Sequence, residues 1–237
     1  MEAGPGQEAG PGQEAGPGQE ATRPVGRRVL AAIGLGSNVG DPERTLAAAV
    51  ATLAALPGVE LRAVSRLYAT APVGVTDQAE FRNAAVVLDV PAGPDPASGA
   101  LALLVALKGI ERAFGRQDRG RWGPRELDLD LLLFGDERIA VERPEAGRSL
   151  DPEKAARLLQ VPHVHAHERL FVLAPLADVT PDVVPPGWDR TVAAARDARA
   201  ATERPDAVRP IATWDAGSRS WRPLDDETAG TAGATRA

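Results

Sequence analysis

Cysteine is absent from the 237-residue chain. Disulfides, thiolate zinc sites and cysteine nucleophiles are therefore excluded, and a reducing compartment is compatible with the composition. Aromatic residues make up only 4%, so each one inside a motif carries more weight. The longest apolar run, Ala100–Leu107, falls far short of the ~20 residues a membrane-spanning helix needs. No basic start followed by an apolar stretch marks a secretory signal. Excess positive charge is missing too: the formal net charge of −6 argues against a general nucleic-acid binder. A cytoplasmic protein that binds neither membrane nor nucleic acid is expected. The 43% of hydrophobic residues is enough for a core.

Residues 2–19 are three copies of E-A-G-P-G-Q. Glycine does not fall at every third position, so this is no collagen helix. Without large apolar groups the segment cannot offset its ordering entropy. Residues 1–27 are expected to be a disordered tail, 28–187 one domain, and 188–237 mostly a disordered C-terminal tail. Trp188, Trp214 and Trp221 could dock back on the body.

Within the domain, Val29–Ile33 reads as a strand running into G-L-G-S-N. This is neither a Walker loop nor G-x-G-x-x-G, because no Gly-Lys-Ser/Thr follows and Val39 stands where a third Gly is needed. Asp41-Pro42 reads as an N-cap and first helical residue. Leu46, Val50, Leu53 and Leu56 then mark one helix face, which ends at Pro57-Gly58. Val59–Ala69 and Phe81–Val90 read as strands joined by an irregular segment. In the second of these, Phe81, Asn83, Ala85 and Val87 share a face. Ser98–Phe114 reads as a helix with Glu111 on its last turn. Next come a strand from Leu127, a turn at Gly135-Asp136, a strand over Arg138–Val141, a short helix from Asp151-Pro152 (K-A-A-R-L-L) and an apolar helix at Phe171–Leu176. Strand, helix, strand, strand, helix, strand is the βαββαβ order of a ferredoxin-like α+β sandwich. Its helices are expected on one face of the sheet and the ligand on the other.

The stretch R-Q-D-R-G-R-W-G-P-R-E-L-D-L-D-L-L-L-F, Arg116–Phe134, carries the chemistry. Period-two alternation points Asp128 and Asp130 one way and Leu127, Leu129 and Leu131 the other. Neighbouring carboxylates repel, and a hard divalent cation such as Mg²⁺ relieves the repulsion. Arg116, Arg119, Arg121 and Arg125 lie just upstream, and guanidinium forks match phosphate oxygens. A cationic loop entering a D-x-D strand suits a metal–polyphosphate site. The chain's histidines, His163, His165 and His167, do not have H-E-x-x-H spacing, so a zinc site is not expected there. His163 and Arg169 read as phosphate contacts.

Five motifs in one order resemble the 6-hydroxymethyl-7,8-dihydropterin pyrophosphokinase family. They are I-G-L-G-S-N, T-A-P-V-G at Thr70–Gly74, D-Q-A-E-F-R-N-A at Asp77–Ala84, R-W-G-P-R-E-L-D-L-D-L-L-L-F-G at Arg121–Gly135, and V-P-H…E-R-x-F-V-L-x-P-L at Val161–Leu176. The resemblance spans about Val29 to Pro185. It implies pyrophosphoryl transfer from ATP, the co-substrate, to the pterin hydroxymethyl group in folate biosynthesis, by a monomer. Asp128 and Asp130 would ligate two Mg²⁺ ions, and Arg116 and Arg125 would be catalytic phosphate contacts. Glu111, Leu131, His163 and Arg169 would line the ATP side. Thr70, Pro72, Val73, Phe81, Asn83, Trp122 and Phe171 would hold the pterin. The chain departs from the family pattern at Ala71, Arg82 and Val164 and in a longer 142–160 segment.

Taken on the residues alone, other classes stay open. A nucleotidyltransferase also uses a D-x-D metal pair, though its Gly-Ser turn usually lies a short way before the aspartates. Here Gly36-Ser37 is far upstream. A ferredoxin-like sensor that binds nucleotide without turnover is the non-enzymatic reading.

Overall fold

The computed structural model describes residue 1 and residues 26–71, 77–116, 123–143 and 157–224. The fold grows from β1 (Arg28–Ser37), which is paired on both sides. On one side lies β4 (Phe81–Pro91), antiparallel, with Ile33 opposite Val86 and Gly36 opposite Asn83. On the other lies β5 (Asp128–Phe134), also antiparallel, with Gly36 opposite Asp128 and Gly34 opposite Asp130. A bulge at Ala32/Ile33 leaves Leu132 without a partner in this pairing.

The expected strand over Val59–Ala69 is broken in two. β2 (Glu60–Val64) and β3 (Leu67–Thr70) both pair with β4. Ser65 at the break is 1% exposed, and its Oγ accepts the Ala85 N–H at 2.8 Å. The side-chain hydroxyl thus satisfies a backbone donor where the chain kinks.

Asp41 caps α1 (Pro42–Ala54), and Asp95 caps α2 (Pro96–Ala113), each accepting a backbone N–H of the first turn, with Pro in the first turn of both. Both helices cover one face of the sheet. Leu46, Leu53, Leu103 and Leu107 meet Ile33, Val86, Leu129 and Leu131 there, all buried. The turn at Gly135-Asp136 forms as expected, with Gly135 at φ +54° and its N–H on Leu30 O at 2.7 Å.

Three expectations are corrected. First, the opposite face is not left to a ligand alone. α3 (Leu170–Val179) and α4 (Val192–Ala200) pack on it, with Leu176 and Val192 against Leu132 and Leu133, and Leu170 and Ala174 against Tyr68. Asp178 ties α3 down by accepting from Arg66 and from the Tyr68 hydroxyl at 2.6–3.1 Å. Second, Arg157–Val161 is not the end of a helix. It is strand β7, paired with β6 (Ile139–Glu142) in a separate two-stranded sheet. Leu159 and Val161 point inward while Leu158 is exposed, a period-two pattern that the Ala and Leu content disguised. Residues 144–156, including the start of the expected helix, lie outside the described residues.

Third, residues 188–224 are built into the structure. β8 (Val208–Asp215) adds to β3, and β9 (Ser220–Pro223) adds to β8, completing a seven-stranded antiparallel sheet in the order β5-β1-β4-β3-β8-β9, with β2 on β4. Among the described residues β9 pairs with Ala212–Asp215 and nothing pairs with β8 on that side at Pro210, where proline is tolerated. Trp221 is 8% exposed and its indole N–H donates to Ser65 O at 2.9 Å, fastening the hairpin to the break between β2 and β3. Residues 2–25 and 225–237 lie outside the described residues. Among the described helices none is long and apolar enough to cross a membrane.

Candidate active site

Alternation along β5 sets Leu129 and Leu131 into the core, at 0% and 3% exposure, so Asp128 and Asp130 face the other way. Their partners across β1 are Gly36 and Gly34. The next partner in the Gly36 row is Asn83 of β4, followed by Tyr68 of β3. Gly36 puts no side chain between Asp128 and Asn83, whereas the Leu132 side chain lies over Gly34, 3.3 Å from where a Cβ would stand. A Cβ on Gly36 would stand 3.2 Å from Asn83 Oδ1 and 3.9 Å from Asp128 Cβ.

The acidic side is held by α2. Glu111, 3% exposed, takes the Leu129 N–H and the Lys108 ammonium on Oε1, each at 2.7 Å. Arg116 forms ion pairs with the same oxygen and with Asp128, the latter at 2.5 Å. Lys108 also donates to Leu129 O at 3.0 Å. The carboxylate expected to touch ATP thus anchors β5 and aims two cations. Burial works against charge on Arg116, but Asp128, Glu111 and Asp130 together hold its pKa above the ordinary value.

Ser37 and Asn38 end β1 and organise the approach to β5. Asn38, 6% exposed, accepts the Arg125 N–H on Oδ1 at 2.8 Å, and its own N–H donates to Arg125 O at 3.0 Å. Its Nδ2 reaches Gln78 Oε1 and Ala79 O at 3.1 and 3.2 Å. The Ser37 hydroxyl donates to Glu126 O at 2.7 Å. One buried amide therefore joins the segment carrying Arg125 to the segment leading into Phe81. Sequence reasoning quoted G-L-G-S-N and gave Ser37 and Asn38 no role. The signal was a pair of hydrogen-bonding side chains at the end of a strand whose glycines alternate. Lys108 was likewise missed; its signal was the i, i+3 spacing to Glu111.

On the other side, Asn83 Nδ2 donates to Thr70 Oγ1 at 2.5 Å, and both residues are buried. Thr70 lies opposite Phe81, half-buried at the start of β4. Phe171 lies in the first turn of α3, with the Arg169 guanidinium 5.9 Å from its ring centre. His163 donates its N–H to Leu132 O at 3.0 Å. Burial lowers its pKa, and the Asp130 charge acts against that shift, so the imidazole is neutral near pH 7. Leu131, also expected on the ATP side, has its side chain in the core at 3% exposure. Pro72, Val73, Trp122, Arg119 and Arg121 lie outside the described residues.

A sequence model of 7,8-dihydro-6-hydroxymethylpterin-pyrophosphokinase matches residues 32–181. The chain belongs to this family. The Methylorubrum extorquens 2-amino-4-hydroxy-6-hydroxymethyldihydropteridine pyrophosphokinase is 41% identical over 152 residues, covering 64% of this chain and 83% of that protein. The enzyme of the same name from Bacillus subtilis is 42% identical over 154 residues, covering 65% and 80%. A crystal structure of an HPPK-DHPS protein in complex with substrates superimposes with a TM-score of 0.62 at 13% identity, over 84% of this chain and 50% of that one. Wild-type Plasmodium falciparum HPPK-DHPS gives 0.60 at 14% identity, over 86% and 51%. The chain spans about half the length of these two structures, and at such identities they speak for the fold. All the acidic-pair geometry described above falls inside the stretch matched by the pyrophosphokinase family.

Proposed function

We infer that this member of the pyrophosphokinase family transfers a pyrophosphoryl group from ATP to 6-hydroxymethyl-7,8-dihydropterin, releasing AMP, in folate biosynthesis. One observation carries the reading to residues: within the matched stretch, Asp128 and Asp130 share a face opposite Gly36 and Gly34, with Arg116 paired to Asp128. The strand order supports a ferredoxin-like core, since β1, α1, the β2–β3 pair, β4, α2 and β5 give βαββαβ with antiparallel neighbours.

The reacting hydroxyl oxygen attacks the β-phosphorus of ATP. A new oxygen–phosphorus bond forms, the bond from that phosphorus to the α–β bridging oxygen breaks, AMP leaves with that oxygen, and the hydroxyl gives up its proton to solvent. Such transfer asks the protein mainly to position groups and to offset charge. Hard carboxylate oxygens on one face, with only Gly36 between Asp128 and Asn83, fit Mg²⁺ shared with substrate phosphates. Mg²⁺ held by Asp128 and Asp130 would neutralise phosphate charge and polarise the attacking hydroxyl. Arg116 swings between Asp128 and the phosphates, with Glu111 holding its place, and Arg125 contacts them from the segment fixed by Asn38. His163, neutral, and Arg169 contact the nucleotide phosphates. The Thr70–Asn83 pair reads the pterin edge, Phe81 and Phe171 flank its ring, and Trp122, Pro72 and Val73 complete that side.

The test is product analysis with ATP, Mg²⁺ and the pterin. The expected result is AMP formed only when the pterin is present. Release of pyrophosphate instead would turn the reading to nucleotidyl transfer, and no turnover at all would turn it to a binding protein.

A further inference from the structure

β3 ends at Thr70, proposed above to read the pterin edge, and runs between β4 on one side and β8 on the other. All of β8 lies beyond residues 32–181, the stretch the family model matches. The strand reaches the pterin side at three places. In the ladder, Val208 lies opposite Thr70, and the Ala71 N–H donates to Ala207 O at 3.4 Å. Against α3, Val208 packs with Tyr68, Leu170 and Ala174, and Leu170 directly precedes Phe171. Before β4, Arg209 Nη2 pairs with Glu80 Oε1 at 2.9 Å, and Glu80 directly precedes Phe81. Thr70, Phe81 and Phe171 are thus each held, directly or through the next residue, by β8.

The Arg209 contact belongs to a chain of alternating charge. Glu80 also pairs with Arg82 at 3.5 Å, and Arg82 pairs with Glu43 in the first turn of α1 at 3.3 Å. Four side chains therefore join β8, the entry to β4, and α1. An isolated exposed pair contributes little, whereas several charges in one network can hold a geometry. Arg82 is one of the positions where the chain departs from the family pattern, and here it has an acidic partner on each side. Arg82, Ala69 and Arg209 lie side by side across β4, β3 and β8. Alternation puts that row on the face away from Phe81 and Asn83, so the network does not compete with substrate for space.

We propose that β8 is a positioning element for pterin binding. Val208 and Arg209 act through Thr70, Leu170 and Glu80 to fix the groups that hold the ring. The phosphate side, on β5 at the far edge of the sheet, does not depend on them. The proposal rests on the pyrophosphokinase reading.

Steady-state kinetics, varying the pterin and then ATP in the presence of Mg²⁺, test it. Arg209→Gln should raise KM for the pterin about threefold, the scale of one networked surface pair, with kcat and KM for ATP unchanged. Arg209→Lys should restore the wild-type KM. In about 1 M KCl, where the screening length falls to ~3 Å, the difference between Arg209→Gln and wild type should close. Val208→Ala should raise the same KM about threefold, near the transfer of one partly buried methylene, and that effect should survive the salt. Arg222→Gln, which removes the β8–β9 hairpin's own pair with Asp215, should leave every constant as it is. The proposal is overturned if Arg209→Gln and Val208→Ala both keep the wild-type pterin KM, whatever their melting temperatures. It is also overturned if kcat or KM for ATP moves by the same factor as KM for the pterin, or if Arg222→Gln matches Arg209→Gln, which would make the effect general loosening. Wild-type protein that binds the pterin and forms no AMP would count against the pyrophosphokinase reading alone. The pterin Kd from calorimetry with a non-hydrolysable ATP analogue then replaces KM, with the same expectations. Wild-type protein that binds no pterin would overturn both.

Discussion

The two faces of the central sheet are cut from the same strands and do opposite work. On one face Ile33 and Leu35 of β1, Val86 and Leu88 of β4, and Leu129 and Leu131 of β5 are all at most 3% exposed beneath α1 and α2. On the other, one residue out of step, the same strands present Gly34, Gly36, Asn83, Asp128 and Asp130. The first face is apolar and closely filled; the second is open and polar where β5, β1 and β4 meet. Parity along a strand therefore separates residues that hold the fold from the residues proposed to meet substrate.

The largest effect that can test this division comes from Asp128→Asn or Asp130→Asn. Either should lower pterin-dependent AMP formation about a thousandfold, ~4 kcal/mol of barrier, with an unchanged melting curve. Near-wild-type rates at ordinary Mg²⁺ would break the comparison. Leu129→Ala, one step away, should do the reverse. It should lower stability by about 3 kcal/mol in urea unfolding, while the rate per folded molecule holds. Glu111 lies at the seam, so Glu111→Gln should show a mixed result. The Leu129 N–H keeps an acceptor while Lys108 and Arg116 lose their counter-charge, and steady-state kinetics should show kcat/KM for ATP reduced about tenfold. A stability loss with unaltered kinetics would make Glu111 structural only.

The smallest effect sharpens the rule. Asp89 has the parity of Asn83 but lies toward the far end of β4, where Arg28 and Arg62 hold it at 2.7 and 2.5 Å. The hydrogen bond from Arg62, then that from Arg28, puts its pKa below the usual carboxylate value. A depressed acid contributes stability above its unfolded pKa of about 3.9 and loses it as pH falls through the lower folded value. Acid unfolding of Asp89→Asn should therefore depend less on pH below about 4 than that of the wild type. Identical acid profiles would show that this ion cluster contributes nothing.

Much of this was legible because local signals agreed. Asp41-Pro42 gave the first helix its start, and D-L-D-L showed which way the aspartates face. The ordered motifs gave the family. The same alternation already turned the Leu131 side chain away from the face of Asp128 and Asp130, although the family resemblance had put that residue on the ATP side. What stayed hidden depended on distant partners. β8 becomes a strand because β3 offers an edge, and Trp221 is buried because the chain breaks at Ser65, 156 residues away. The anchoring role of Glu111 stays hidden until β5 places the Leu129 N–H beside it. Asn38 acquires meaning only when the segments of Arg125 and Gln78 converge on it.

The account rests on Asp128 and Asp130 holding divalent ions beside the nucleotide. Electron paramagnetic resonance of Mn²⁺ binding, in the presence of a non-hydrolysable ATP analogue, addresses that most directly. Wild-type protein should bind Mn²⁺ tightly, and Asp128→Asn and Asp130→Asn should each lose bound ion while remaining folded. Equal Mn²⁺ binding in wild type and both variants would contradict it.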